Sequence, residues 1–183
     1  MKTFTIKGSL WSICIGGFRE VLVSDPMSLI KMVSEAAAPH YAQLFDADWV
    51  AGWEHLHMAA VNASKATETG VAISKSIQVE TLLYASAQDQ ITTALSRLGV
   101  TLKTRYIALL IFAPSRDEAE AVYRRTAEKL GEEDDSVLIL TPEKTQRLKK
   151  IYNVSDKELE AAGGDTALTS LIVERGALLS LRR

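Results

Sequence analysis

The sequence predicts an α+β fold, a single helix-rich domain over residues 1–183 with a small mixed β-sheet. Three observations support this prediction. The first 25 residues are rich in β-forming side chains, and an apolar run of seven residues lies at 107–113. Most of the remaining chain repeats apolar residues every three or four positions behind helix-capping signals. Strands outnumbered by helices in this way are typical of α+β domains.

The N-terminal 25 residues are predicted to be extended. Residues 3–7 alternate polar and apolar side chains, and residues 10–15 and 21–23 are rich in β-forming side chains. Gly8 and the Gly16-Gly17 pair are predicted to mark the bends between these stretches.

A helix is predicted next, because Asp25 is a good N-cap and Pro26 suits the first helical position. The helix covers residues 27–37 and ends before Pro39. A short strand is predicted over residues 41–45.

A long helix follows over residues 49–67, capped by Asp46 or Asp48. Spacings of three and four place one apolar stripe on it, formed by Trp49, Trp53, Leu56, Ala60 and Ala63. The opposite side carries Glu54, Met58, Asn62 and Lys65.

Residues 76–85 fit either a strand or a helix, and their helical period favours the helix. A short helix is predicted over residues 88–98, with Gly99 as its C-cap. Its apolar stripe consists of Ile91, Ala94, Leu95 and Leu98.

Residues 105–112 form the clearest predicted strand, and because both of its faces are apolar it is expected at the centre of the sheet. Ser115 and Glu118 form a capping box that opens the next helix, which ends at Leu130-Gly131.

Toward the C-terminus, the acidic residues 132–135 are predicted to form a solvated loop, and residues 137–140 another strand. Capping and apolar spacing predict further helices over residues 142–152, 155–161 and 166–181.

Composition excludes several classes of protein. The 183 residues include 21 basic and 23 acidic side chains, so the net charge of −2 argues against non-specific coating of nucleic acid. The single cysteine, Cys14, cannot form an internal disulfide. The longest apolar run is far shorter than the ~18 residues that span a bilayer. These observations predict a soluble, cytoplasmic protein without a membrane partner.

The sequence offers little catalytic chemistry. It contains no glycine-rich phosphate loop, and Cys14 lies in an apolar stretch typical of an inert buried thiol. His55 and His57 lie two residues apart on a predicted helix and point in nearly opposite directions, so they cannot share a metal there. We therefore predict no catalytic, cofactor or metal site. A small metabolic enzyme with an unrecognised site is one alternative, and a generic interaction adaptor without RNA binding is another.

Residues 53–100 carry the most distinctive pattern. Its elements are His55-Leu56, Ala60-Val61-Asn62, Lys65, Ser76, Glu80-Thr81-Leu82-Leu83-Tyr84-Ala85-Ser86, Gln90-Ile91, Ala94-Leu95 and Leu98-Gly99. Ile172-Val173-Glu174-Arg175 and Ala177-Leu178 support it near the C-terminus. This pattern resembles the kinase-binding regulatory subunit of the KEOPS tRNA-modification complex, the PRPK-binding protein family.

The resemblance implies a small non-enzymatic protein that binds the small atypical kinase/ATPase of that complex. It also implies that the chain helps to hold the 3′ CCA end of tRNA, which the whole complex modifies to threonylcarbamoyladenosine. The family motif places Asn62 and Lys65 near the RNA 3′ end. Gln90, Ile91 and Ala94 can form an apolar and amide surface on which a base stacks, and Arg97, on the same short helix, can offset the charge of Asp89, so these six residues are the predicted tRNA contacts. Asp89 departs from the family pattern, because the residue before Gln90 is often basic or small in relatives.

The predicted last helix has apolar residues on two sides. Leu168, Leu171, Ile172, Leu178 and Leu179 form the larger stripe, whereas Val173, Ala177 and Leu181 lie on roughly the opposite side. A surface helix needs one apolar face, so the second must contact either the protein's own sheet or a partner helix. Together with the resemblance, this predicts kinase contacts at Val173, Glu174, Ala177, Leu178 and Leu181.

Overall fold

The computed structural model describes residues 1–182, and it confirms the α+β class. Its strands are β1 (Lys2–Thr5), β2 (Ser12–Arg19), β3 (Tyr41–Asp46), β4 (Ile107–Ala113) and β5 (Glu132–Glu133). Its helices are α1 (Pro26–Ala37), α2 (Trp53–Glu68), α3 (Ile77–Ser86), α4 (Ile91–Leu98), α5 (Arg116–Ala127), α6 (Pro142–Tyr152), α7 (Asp156–Ala161) and α8 (Leu168–Ala177). Short 3-10 turns form at Ala47–Trp49, Asp135–Leu138, Asp165–Ala167 and Leu178–Arg182.

The strands form one sheet in the order β1-β2-β4-β3, with β5 beside the end of β2. All pairings are antiparallel, so the prediction of a mixed sheet is wrong in this detail. The reason is topological. Helix α1 connects β2 to β3 so that these strands run in the same direction, and β4 inserts between them in the opposite direction.

Strand β4 confirms the predicted central strand. All seven of its residues are buried, and β2 and β3 pair with its two edges. Its alternate side chains enter two separate cores, one beneath α1 and α5 and the other beneath α2 and α3. A third core joins α6, α7 and α8 to the segment before α2.

The predicted bend at Gly16-Gly17 is wrong, because both glycines lie inside β2. A Cβ at Gly16 would lie 1.9 Å from the Tyr123 hydroxyl oxygen, and one at Gly17 would lie 2.7 Å from the Asp134 carbonyl oxygen. Glycine is therefore required here for close packing against the strand rather than for a turn.

Several further boundaries differ from the sequence predictions. Glu132 and Glu133, predicted to lie in a loop, pair with β2, and the last helix is α-helical only over Leu168–Ala177. Residues 137–140 do not form a strand, because the Asp134 carboxylate accepts the Ser136 backbone N–H and starts a 3-10 turn. Asp46 likewise caps a 3-10 turn, and the long helix begins only after Gly52, whose φ is +92°. The segment predicted as strand or helix forms α3, as favoured. Across residues 1–182, no helix is both long enough and apolar enough to span a membrane.

Candidate functional site

Helix α8 lies against α2 and α3, and two close contacts fix its position. At its N-terminal end, the Thr169 hydroxyl donates to the Ala51 carbonyl oxygen at 2.9 Å, just before α2. Further along, Gly176 approaches the backbone of α3 so closely that a Cβ would lie 2.5 Å from the Tyr84 carbonyl oxygen. The inner side chains Leu168, Ile172 and Leu179 are buried.

The outer face of the C-terminal segment carries the residues that the sequence predicted for kinase binding. Val173 and Ala177 are half-buried, and Glu174 is exposed. Leu178 is exposed although the sequence placed it in the larger stripe, and Leu181 is 78% exposed. The protein's own sheet does not cover these side chains, so an apolar strip is available to a partner.

An ion pair that the sequence did not predict joins α7 to α8. Arg175 donates to both carboxylate oxygens of Glu158 at 2.9 Å, and to the Asn153 carbonyl oxygen at 3.1 Å. Hydrogen bonding to Arg175 lowers the pKa of the Glu158 carboxyl. All three bonds come from one guanidinium nitrogen, Nη2, so this one group ties α8 both to α7 and to the residue that follows α6.

His55 has a structural role at the junction of α2 and α3. Its Nδ1 accepts the Ala51 backbone N–H at 3.1 Å, so the protonated Nε2 donates to the Ala85 carbonyl oxygen at 2.8 Å. The Tyr152 hydroxyl donates to the same oxygen at 2.8 Å. Burial lowers the pKa of His55 to about 4, so the neutral ring forms these bonds at physiological pH.

Other candidate chemical groups are occupied or buried. His57 stacks on Phe4 with a ring-centroid distance of 4.6 Å. Cys14 is buried in β2, and burial raises the pKa of its thiol to about 11. Within residues 1–182, no group of three or more histidine, cysteine or acidic side chains is arranged to hold a metal ion.

The side chains predicted to contact tRNA differ in accessibility. Asn62 is half-buried and Lys65 is exposed on α2, and Gln90 is exposed before α4. Ile91 is 39% exposed, and Leu95, which the resemblance did not assign, is 43% exposed one turn later. Arg97 donates to the Ser86 carbonyl oxygen at 3.2 Å. Ala94 is fully buried in the core, so its side chain has no surface to offer a base and this assignment requires correction.

These residues belong to two elements. Asn62 and Lys65 lie on α2, whereas Gln90, Ile91, Ala94 and Arg97 lie at the start of α4 or within it. The bond between His55 and the Ala85 carbonyl oxygen joins the end of α3 to the first turn of α2.

The comparisons with known proteins agree with one another. The family described as "Kinase binding protein CGI-121" matches residues 18–180. A protein of Methanocaldococcus jannaschii named "Regulatory protein Cgi121" is 30% identical over 142 residues, which cover 77% of this chain and 84% of that protein.

Proposed function

The chain belongs to the CGI-121 family of kinase-binding proteins, and on this basis we propose that it is a non-catalytic regulatory subunit of a KEOPS complex. In this role it binds the small atypical kinase/ATPase of the complex. It also helps to recruit tRNA through the 3′ CCA end for threonylcarbamoyladenosine modification. We also propose that the protein acts in the cytoplasm.

The outer apolar strip of the C-terminal segment, formed by Val173, Ala177 and Leu181, is the main structural support for kinase binding. Val173 and Ala177 lie one turn apart on α8, and Leu181 follows in the 3-10 turn that continues from it. Gly176 and Arg175 hold the helix that presents this strip. A preformed strip of apolar anchors suits a helix or groove of a protein partner.

The tRNA part of the proposal draws on the resemblance and on the surface chemistry of two groups. Ile91 and Leu95 offer apolar surface on which a base can stack, and Gln90 offers an amide for base edges. Lys65, exposed on α2, is suited to a phosphate. Recognition of a single-stranded end depends on stacking and edge hydrogen bonds, so it does not require a strongly basic protein.

Two titrations test the proposal. Purified protein is titrated with the purified kinase by calorimetry, and a stable complex is expected; failure to bind would contradict the kinase partnership. Fluorescence anisotropy then compares intact tRNA with tRNA lacking CCA, and the truncated tRNA is expected to bind more weakly. Equal affinities would remove the recruitment role and leave the kinase partnership standing.

A further inference from the structure

Two connected cavities form a groove beside the start of α2 and along α8. The deeper cavity, with a volume of about 740 Å³, lies between the first turn of α2, residues 135–145 and the segment that opens α8. The shallower cavity, about 590 Å³, continues along α2 and α8. Both are lined by Glu54, Thr166 and Thr169, so the groove is continuous.

The floor of this groove is apolar. Trp53, Leu138 and Leu140 line the deeper cavity, and Met58 and Val173 line the shallower one. At the edge of the deeper cavity, the side chain of Ile139 is 63% exposed. Apolar surface that is concave and open to solvent is typical of sites that receive an apolar group from a partner.

The rim of the groove is acidic. Glu54, Asp165 and Glu174 line it, and none of their carboxylates forms a hydrogen bond or ion pair with residues 1–182. Asp135 also lines the deeper cavity, but it accepts from the Met1 ammonium group at 2.6 Å. Lys2 adds one positive charge, held 4.1 Å from the centre of the Trp53 ring. The charge that complements this groove is therefore positive.

The spacing of the carboxylates favours a polypeptide over a small molecule. Glu174 lies about 9 Å along α8 from Leu168, and Asp165 lies three residues further back in the 3-10 turn that precedes α8. A small molecule in the deeper cavity would leave Glu174 unmatched. An extended segment with several basic side chains can match all three carboxylates.

We propose that this groove receives a basic amphipathic segment of the partner kinase. An apolar side chain of the segment enters the deeper cavity, and its lysine or arginine side chains pair with Glu54, Asp165 and Glu174. The proposal rests on the proposed function, because it takes the kinase as the source of the segment. The proposal extends the kinase interface beyond the outer strip of α8. The added surface consists of the start of α2 and residues 135–145.

Calorimetric titration of the full-length protein with the purified kinase tests the groove. Ile139→Ser is expected to weaken binding at least tenfold, whereas Leu22→Ser, a control that is 84% exposed and does not line the groove, leaves it unchanged. The double variant Glu54→Lys with Glu174→Lys is expected to weaken binding at least 100-fold and to reduce its salt dependence. Glu128→Lys, on the exposed end of α5, is the control for charge reversal.

The outcomes separate this proposal from the one on which it rests. If the unaltered protein does not bind the kinase, both proposals are overturned. If it binds and the groove variants match their controls, the groove proposal is overturned while the kinase partnership stands. Hydrogen exchange gives a second readout, since residues 138–145 are expected to exchange more slowly in the complex. Unchanged exchange of residues 138–145 in the complex would overturn the proposal. So would a copurifying small molecule or a second copy of the chain bound in the groove.

Discussion

Gly176 of α8 packs directly against the backbone carbonyl oxygen of Tyr84 on α3, with 2.5 Å between that oxygen and the position that a Cβ would occupy. A methyl group cannot fit there unless one of the two helices moves. The contact thus sets the distance at which α8 lies from α3, and with it the position of the outer apolar strip.

We therefore expect Gly176→Ala to destabilise the protein by about 1–3 kcal/mol, the usual cost of overpacking a buried site. Urea denaturation followed by circular dichroism measures this change. Ser170→Ala, an exposed position on the same helix, is the control and should leave stability within ~0.5 kcal/mol. A Gly176→Ala variant as stable as the control would show that α8 adjusts freely.

The buried His55 is expected to make stability depend on pH. Burial lowers the pKa of His55 to about 4 in the folded protein, whereas in the unfolded chain the pKa has its ordinary value of 6.5. Between these values the unfolded chain binds a proton that the folded protein does not. The free energy of unfolding therefore falls as pH decreases from 6.5 toward 4, by up to about 3 kcal/mol.

His55→Asn tests this assignment, because asparagine does not titrate. Denaturation at several pH values is compared between the variant and the unaltered protein, so that carboxylates and His57 contribute equally to both. The variant is expected to be less stable at pH 7. Its free energy of unfolding should also fall less steeply below pH 6.5 than that of the unaltered protein. Parallel pH profiles for the two proteins would contradict a neutral buried His55.

Local patterns predicted much of this fold correctly. The apolar run of β4 and the capping residues Asp25 and Ser115 act within a few positions of the elements that they define. The prediction of a bend at Gly16 is wrong because the side chain that requires a glycine there lies far away in the sequence. The strand accommodates Tyr123 from α5, a contact that no local pattern records.

The candidate surfaces were predictable to a smaller extent, for the same reason. Ile91 and Ala94 share one apolar stripe, yet only the packing of α4 decides that Ile91 is accessible and Ala94 is buried. The acidic groove combines residues from α2, the segment 135–145 and α8. No sequence spacing brings these three segments together.

A charge on the outer strip is expected to weaken kinase binding. Leu181 is largely exposed, so Leu181→Asp should leave folding intact, and Val173→Asp tests a second position on the same strip. Loss of an interface anchor commonly costs ~2 kcal/mol or more. Leu102→Asp, at an exposed position outside the strip, is the matched control.

Calorimetric titration with the kinase measures this effect, and circular dichroism confirms that each variant remains folded. Deletion of residues 166–183 should have the largest effect, but loss of folding in that variant would not count as support. Unchanged affinity of a folded Leu181→Asp variant would exclude the outer strip from the kinase interface.

Ile91 provides the sharpest test of tRNA recruitment, because it is exposed and lies at the start of α4. A stacked base contributes about 1–3 kcal/mol, so Ile91→Glu, which also places a carboxylate beside the RNA, should weaken binding by at least that amount. Leu22→Glu introduces the same charge at an exposed position elsewhere and should have little effect. Lys65→Ala should weaken binding moderately and reduce its salt dependence, as expected for loss of a phosphate contact.

Removal of CCA from tRNA should weaken binding as strongly as Ile91→Glu, and combining the two changes should be scarcely worse than either. This non-additivity follows if the CCA bases and Ile91 form the same contact. Anisotropy titrations with the four combinations of protein and tRNA measure these couplings, and full additivity of Ile91→Glu with CCA removal would show that the CCA end binds elsewhere.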